Sequence, residues 1–310
     1  MLIKATIMTN SIKKFLDITP FSDKLVFLFL CVVVFALSMQ YHVNPELGQW
    51  ILFHALLLTG YLAANLIYTS LSSFSVIYYF RVATVMGTIF TLYYTLGITA
   101  PMAFGWGADA FFAKIDKLLF LGNSPSLWIE RFAGFGATEF FSFIYGFFIP
   151  YLYLSIIISC IGRPGNERQI FLNGLAVTYT VSFLGYLFTP AYGPVIFFRD
   201  QFSSSLSGGF FHSIVLDSIK NCGGPHGAFP SLHVGASSFV CLFDLKYSRL
   251  RGLTYLPLVI LIIIATVFLR YHYVIDTVAG VSIALLAFHL ATYKKKEETC
   301  STGSFGSFPG

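Results

Sequence analysis

The chain has 310 residues, 56% of them hydrophobic and 18% aromatic, with only 11% charged and a mean hydropathy of +0.75. A soluble domain carries about 25% charged residues, so this chain is too poor in charge to face water on all sides. That excludes an ordinary soluble globular protein, and the net charge of +5 reflects membrane topology rather than a nucleic-acid partner.

The first 24 residues are polar and mildly basic, with Lys4, Lys13, Lys14 and Lys24. No small-residue cleavage site follows the apolar segment after them, so that segment reads as a retained first span. Eight apolar segments then follow, at 25–43, 50–69, 82–104, 139–161, 170–188, 232–245, 253–269 and 274–293. Stretches such as 258–269 are apolar on every face, whereas a membrane barrel needs alternation along each strand. The fold class is therefore all-α, a polytopic membrane bundle of about eight helices. A span takes about 20 residues, so the sixth helix is expected to begin before Leu232. The five cysteines are scattered and outline no disulfide framework.

Placing the N-terminus in the cytoplasm and crossing eight times puts 13 of the 19 basic residues on the cytoplasmic side. This obeys the positive-inside rule and makes both termini cytoplasmic. Two long loops, 105–138 and 189–230, then share the opposite face. The first, with Trp106, Trp128 and Ile115-Asp116-Lys117-Leu118-Leu119-Phe120, reads as an interfacial helix at headgroup level. The second is rich in Gly, Ser and Pro, and loops this long are uncommon unless functional. The chain divides into a cytoplasmic segment (1–24), two accessory spans (25–81), a larger membrane domain (82–293) and a Ser/Gly-rich tail expected to be disordered (294–310).

Ionisable residues interrupt the apolar pattern at the edges of two spans. One group is Phe229-Pro230-Ser231-Leu232-His233, the other Arg270-Tyr271-His272-Tyr273-Val274-Ile275-Asp276. His233 and His272 lie 39 residues apart, yet two spans and one turn return both to the same face. Charged groups at a membrane edge are expensive unless paired, which makes them functional candidates. Ser231 can cap the sixth helix, leaving free N–H groups and a positive dipole end for an anion, with His233 placed to protonate a leaving oxygen. The i,i+4 spacing of His272 and Asp276 lets the carboxylate fix the imidazole tautomer and leave the other nitrogen as a nucleophile. Arg270 offers a fork suited to phosphate. His42, His54, His212 and His289 read as packing or interfacial residues.

These two segments resemble the second and third signature motifs of the phosphatidic acid phosphatase type 2 superfamily. They are closer to its inositol-phosphotransferase branch, which includes inositol phosphorylceramide synthase, than to the soluble acid phosphatases. The resemblance covers about 82–293 and implies a six-helix core. It implies His272 as the nucleophile of a phosphohistidine, Asp276 as its orienting group and His233 as general acid. The stretch from Ile115-Asp116 through Pro125 and Trp128 is similar to a segment of that branch. The superfamily's first motif, Lys-x6-Arg-Pro, is absent: Arg163-Pro164 has Ile156 at the lysine position, and Thr266 stands where Ser-Arg is usual. A Pro190-Ala191-Tyr192-Gly193-Pro194-Val195 turn takes the first motif's place, and the resemblance implies phosphate contacts from Tyr192 and Arg199 there. His226 can line the same site.

The expected function is phosphoryl transfer from a lipid-linked phosphate or phospholipid headgroup without metal or cofactor, the acceptor being an alcohol or, in a phosphatase, water. The site is expected on the non-cytoplasmic face of a cell inner membrane or endomembrane. A proton-coupled transporter is the competing class, but no inverted repeat and no mid-membrane charges support it. A metal centre built from His226, His233, His272 and Asp276 is disfavoured by Arg270 beside it.

Overall fold

The computed structural model describes residues 19–71, 75–105, 107–221 and 227–302. Among these the chain forms twelve α-helices: α1 (Phe21–Gln40), α2 (Leu47–Ser70), α3 (Ser75–Phe104), α4 (Asp109–Leu119), α5 (Pro125–Trp128), α6 (Phe135–Ile161), α7 (Gly165–Phe188), α8 (Pro194–Phe197), α9 (Phe210–Asn221), α10 (Leu232–Tyr247), α11 (Arg249–Phe268) and α12 (Val274–Thr302). Seven of them, α1, α2, α3, α6, α7, α11 and α12, are long and apolar enough to cross a membrane.

The eighth apolar segment is α10, whose 16 residues fall short of a lipid-facing span. It does not begin before Leu232 as expected. Ser231 is extended and caps the helix, its hydroxyl accepting from the Val234 N–H at 3.5 Å. Sixteen residues suffice because α10 is walled in by α6, α7, α11 and α12, with eleven of its residues buried. Its exterior is protein, so hydrocarbon thickness does not set its length.

Small residues set the tightest contacts, as in membrane helix packing generally. A Cβ on Gly280 of α12 would lie 2.6 Å from the Ser231 carbonyl oxygen, and one on Gly174 of α7 would overlap the Phe239 ring. Helices α7, α10 and α12 therefore interlock around α10. At the end of the bundle away from the His233 and His272 motifs, Arg81 donates to both Asp23 oxygens, Ser22 and Gln169, joining α1, α3 and α7. Asp244, fully buried, accepts from Arg163 at 3.3 Å and from Arg251, closing the α6–α7 turn, α10 and α11 at the same end.

The stretch expected to hold an interfacial helix contains α4, an amphipathic element that buries Asp109, Phe112, Ala113 and Asp116 and exposes Phe111, Lys114, Lys117 and Leu118. The described part of the 189–230 stretch, 189–221 and 227–230, is not all loop. It contains α9, whose N-terminal N–H groups at Gly209, Phe211 and His212 donate to the Glu139 carboxylate of α6. Phe112, Ala113, Ala191, Phe198, Ala228 and Tyr273 form a small second core beneath these loops.

Candidate functional site

The two motif segments meet through the close crossing of α10 and α12. The Ser231 N–H donates to the Asp276 carbonyl oxygen at 3.1 Å, and Gly235 faces Gly280 across the same contact. With the backbones this close, the rings of His233 and His272 stand 6.2 Å apart, centre to centre, at an angle of 59°.

His272 is buried, and its Nδ1–H donates to the Ala228 carbonyl oxygen at 2.7 Å. A carbonyl can only accept, so this bond fixes the proton on Nδ1 and leaves the lone pair on Nε2. The sequence assigns that task to Asp276. In the structure Asp276 Oδ2 lies 3.5 Å from the same nitrogen, a longer second contact, while accepting from the Tyr273 N–H at 2.8 Å. Asp276 Oδ1 is buried with no hydrogen-bond partner among the described residues. The carboxylate thus supports the imidazole electrostatically, and the backbone carbonyl sets the tautomer.

His233 opens α10 and is held by aromatic rings. Tyr145 stacks on it at 4.3 Å and 24°, Phe148 lies 4.5 Å away, and the Tyr145 hydroxyl is 3.4 Å from Nδ1. Both aromatic residues come from α6, which the sequence does not single out.

Arg270 has a left-handed backbone (φ 67°) and is nearly buried. Its guanidinium donates to the Ser204 carbonyl at 2.9 Å and to Glu130 at 3.2 Å, and it lies 3.8 Å over the Phe202 ring. The fork expected for phosphate is taken up by a clasp joining the two long loops. Burial pushes the Arg270 pKa down, and Glu130 partly restores it. At Glu130 burial raises the carboxyl, but the N–H groups of Ser204 and Ser203 and the Arg270 charge together hold it below the ordinary carboxylate range.

The Pro190–Val195 turn does reach the site. The Val195 N–H donates to the Arg270 carbonyl at 2.7 Å, and Gly193, at φ 88°, packs so tightly that a Cβ there would lie 2.3 Å from the Tyr271 oxygen. This places Tyr192 beside the His272 segment. Arg199 is exposed in a short 3₁₀ turn and makes no ion pair or hydrogen bond to His233, His272 or Asp276 among the described residues. His226 lies outside the described residues.

Two acidic residues that the sequence does not assign to the site complete it. Asp109 accepts from the Tyr192 and Gly193 N–H groups at 3.0 and 2.8 Å and from the Tyr273 hydroxyl at 2.9 Å. Asp116 accepts from the Val274 and Ile275 N–H groups at 2.8 and 3.0 Å. With Asp276 on the Tyr273 N–H, carboxylates occupy the opening N–H groups of α12. The start of α12 is therefore already neutralised.

Beside the site lies a cavity of about 420 Å³, lined mainly by apolar groups. Phe120, Trp128 and Ile129 form one wall, Ile263 and Val267 of α11 a second, and Val274 of α12 a third.

A family model described as the PAP2 superfamily matches residues 111–290, more than half of the chain. A PA-phosphatase related-family protein of Dictyostelium discoideum is 26% identical over 193 residues, a match covering 56% of this chain and 35% of that protein. The chain thus spans about a third of that relative's length. No solved structure matches the chain.

Proposed function

The chain belongs to the PAP2 superfamily, and from that premise we propose that it transfers phosphoryl groups from lipid-linked phosphates or phospholipid headgroups through a phosphohistidine on His272. The observation that carries this reading is the 2.7 Å bond from His272 Nδ1 to the Ala228 carbonyl, which leaves the lone pair on Nε2 of a ring centred 6.2 Å from that of His233. Nε2 attacks phosphorus and forms the P–N bond as the P–O bond to the leaving group breaks. His233, held as imidazolium against its burial by the charge of the bound phosphate, gives that oxygen its proton. The neutral His233 then takes a proton from the acceptor as the acceptor's oxygen attacks phosphorus and the P–N bond breaks. The Ser231 hydroxyl, the His233 N–H and the positive end of the α10 dipole hold the phosphate oxygens.

The cavity supports a substrate with a hydrocarbon tail, since it touches the first turn of α12 at Val274 and adjoins the Glu130–Arg270 clasp at Ile129. With an alcohol as acceptor the protein is a transferase, the reading favoured by the resemblance to the inositol-phosphotransferase branch. With water it is a phosphatase, and the printed name of the Dictyostelium relative favours that second reading.

The test uses purified protein in detergent with EDTA, lipid phosphates and headgroup-labelled phospholipids. Turnover that persists in EDTA and is lost in both His272→Ala and His233→Ala is the expected result. Free phosphate identifies a phosphatase and a new labelled lipid a transferase. Full activity in His272→Ala refutes the mechanism, and loss of activity in EDTA refutes its independence of metal.

A further inference from the structure

Helix α4 lies outside the bundle, yet its buried face carries two carboxylates seven residues apart, and both reach the segment that bears His272. Asp116 is 1% exposed and Asp109 5%. Together their oxygens accept five hydrogen bonds, three from the Tyr273–Ile275 segment and two from the Tyr192-Gly193 turn. On the other side of His272, the N–H groups of Tyr271 and His272 donate to the Thr266 carbonyl at 3.1 and 3.2 Å, so α11 pins that segment from the bundle. Without α4, the N–H groups of Val274 and Ile275 would lose their carboxylate partner.

We propose that Asp116, assisted by Asp109, is a positioning residue that makes α4 the outer jaw holding His272 for attack; this rests on the reading of His272 as the nucleophile. The two oxygens of Asp116 serve adjacent N–H groups, a bidentate grip that fixes both the height and the rotation of the first turn of α12. His272 precedes that turn and Asp276 lies within it, so a change in the grip moves both relative to His233. Burial pushes the Asp116 carboxyl up and the two N–H groups only partly offset it, so it stays above the ordinary carboxylate value. The ionised form accepts both bonds, so it is the form that grips. Its neutral isostere, asparagine, keeps one acceptor and must present an NH₂ to the second N–H.

The experiment compares wild type, Asp116→Asn, Asp116→Ala and, as a control on the exposed face of the same helix, Leu118→Ala. Two readouts are taken: steady-state kinetics with pH profiles, and amide hydrogen exchange by mass spectrometry. Asp116→Ala is expected to lower kcat about a hundredfold and Asp116→Asn about tenfold, with KM within about twofold of wild type. Removing a negative charge near an imidazole lowers its pKa, so the acid limb of the rate profile moves to lower pH in both variants. Exchange rises over 272–276 and stays unchanged in the rest of the bundle, and Leu118→Ala matches wild type. Wild-type exchange over 272–276 in Asp116→Ala overturns the proposal. So does a general rise in exchange with no shift of the acid limb, which marks a merely structural role. If wild type itself shows no turnover that depends on His272, the functional reading fails, and the exchange pattern still decides whether Asp116 holds this segment.

Discussion

The Gly235–Gly280 crossing gives the most direct link between packing and chemistry, and Gly280→Ala tests it. The added Cβ would lie 2.6 Å from the Ser231 oxygen, 3.1 Å from the Gly235 nitrogen and 3.2 Å from the Val234 Cβ. Two of these neighbours are backbone atoms of α10, so no side chain can swing aside. Close carbon–oxygen contacts between packed helices run at about 3.3–3.6 Å, so α10 and α12 must part by roughly 0.7 Å. Overpacking of this kind costs about 1–3 kcal/mol, which weakens a bundle of this size without unfolding it. The larger effect falls on geometry, because the same displacement stretches the 3.1 Å bond from Ser231 to Asp276 and separates His233 from His272. Misplacement by about 1 Å can cost a hundredfold in rate, so the expected loss of kcat lies between about tenfold and a hundredfold. Turnover of a lipid phosphate, measured alongside the thermal unfolding midpoint, gives the comparison. Gly60→Ala in α2, where the new Cβ meets nothing within 4 Å, supplies the control. Wild-type turnover in Gly280→Ala would refute the argument that this contact sets the histidine spacing.

Three further perturbations separate the parts of the structure. Val267→Trp fills the lateral cavity and is expected to lower turnover of long-chain lipid phosphates by about tenfold or more while sparing short-chain analogues; equal losses on both would remove the cavity from substrate binding. Arg81→Met strands Asp23, which is 1% exposed, and is expected to lower stability by about 3–5 kcal/mol, with much of it recovered by adding Asp23→Asn, both read as unfolding midpoints. Glu130 has its pKa held below the ordinary carboxylate value, so its clasp on Arg270 contributes stability above that value and loses it as pH falls through the lowered pKa. The unfolding midpoints of wild type and Glu130→Gln should therefore differ at neutral pH and converge in acid, and a gap that does not change with pH would refute the ion pair's role.

How much of this the sequence discloses depends on how local each signal is. Apolar periodicity and length mark the spans, because a membrane helix is selected residue by residue for lipid. That same rule misjudges α10, whose surroundings are protein and whose 16 residues therefore need not match the bilayer. The pairing of His233 with His272 follows from counting crossings, yet the Ala228 carbonyl that fixes the tautomer belongs to a loop with no pattern of its own, 44 residues away. Arg270 illustrates the reverse case. Its chemistry suits phosphate, but its partner Glu130 lies 140 residues away, and only the fold shows the fork already engaged.

The two acids of α4 lie between these extremes. Their partners are 83 to 164 residues distant and no motif joins them. A local signal was nevertheless present. In Asp109-Ala110-Phe111-Phe112-Ala113-Lys114-Ile115-Asp116, the carboxylates at i and i+7 share a face with Phe112 and Ala113 at i+3 and i+4, while the lysines fall elsewhere. An amphipathic helix at a membrane surface turns its charged side to water and its apolar side to protein or lipid. Acids placed among the apolar positions cannot be solvated in either setting, so they require donors from the neighbouring structure. For Asp116 these donors are the opening N–H groups of α12, and for Asp109 the N–H groups of the Tyr192-Gly193 turn and the Tyr273 hydroxyl.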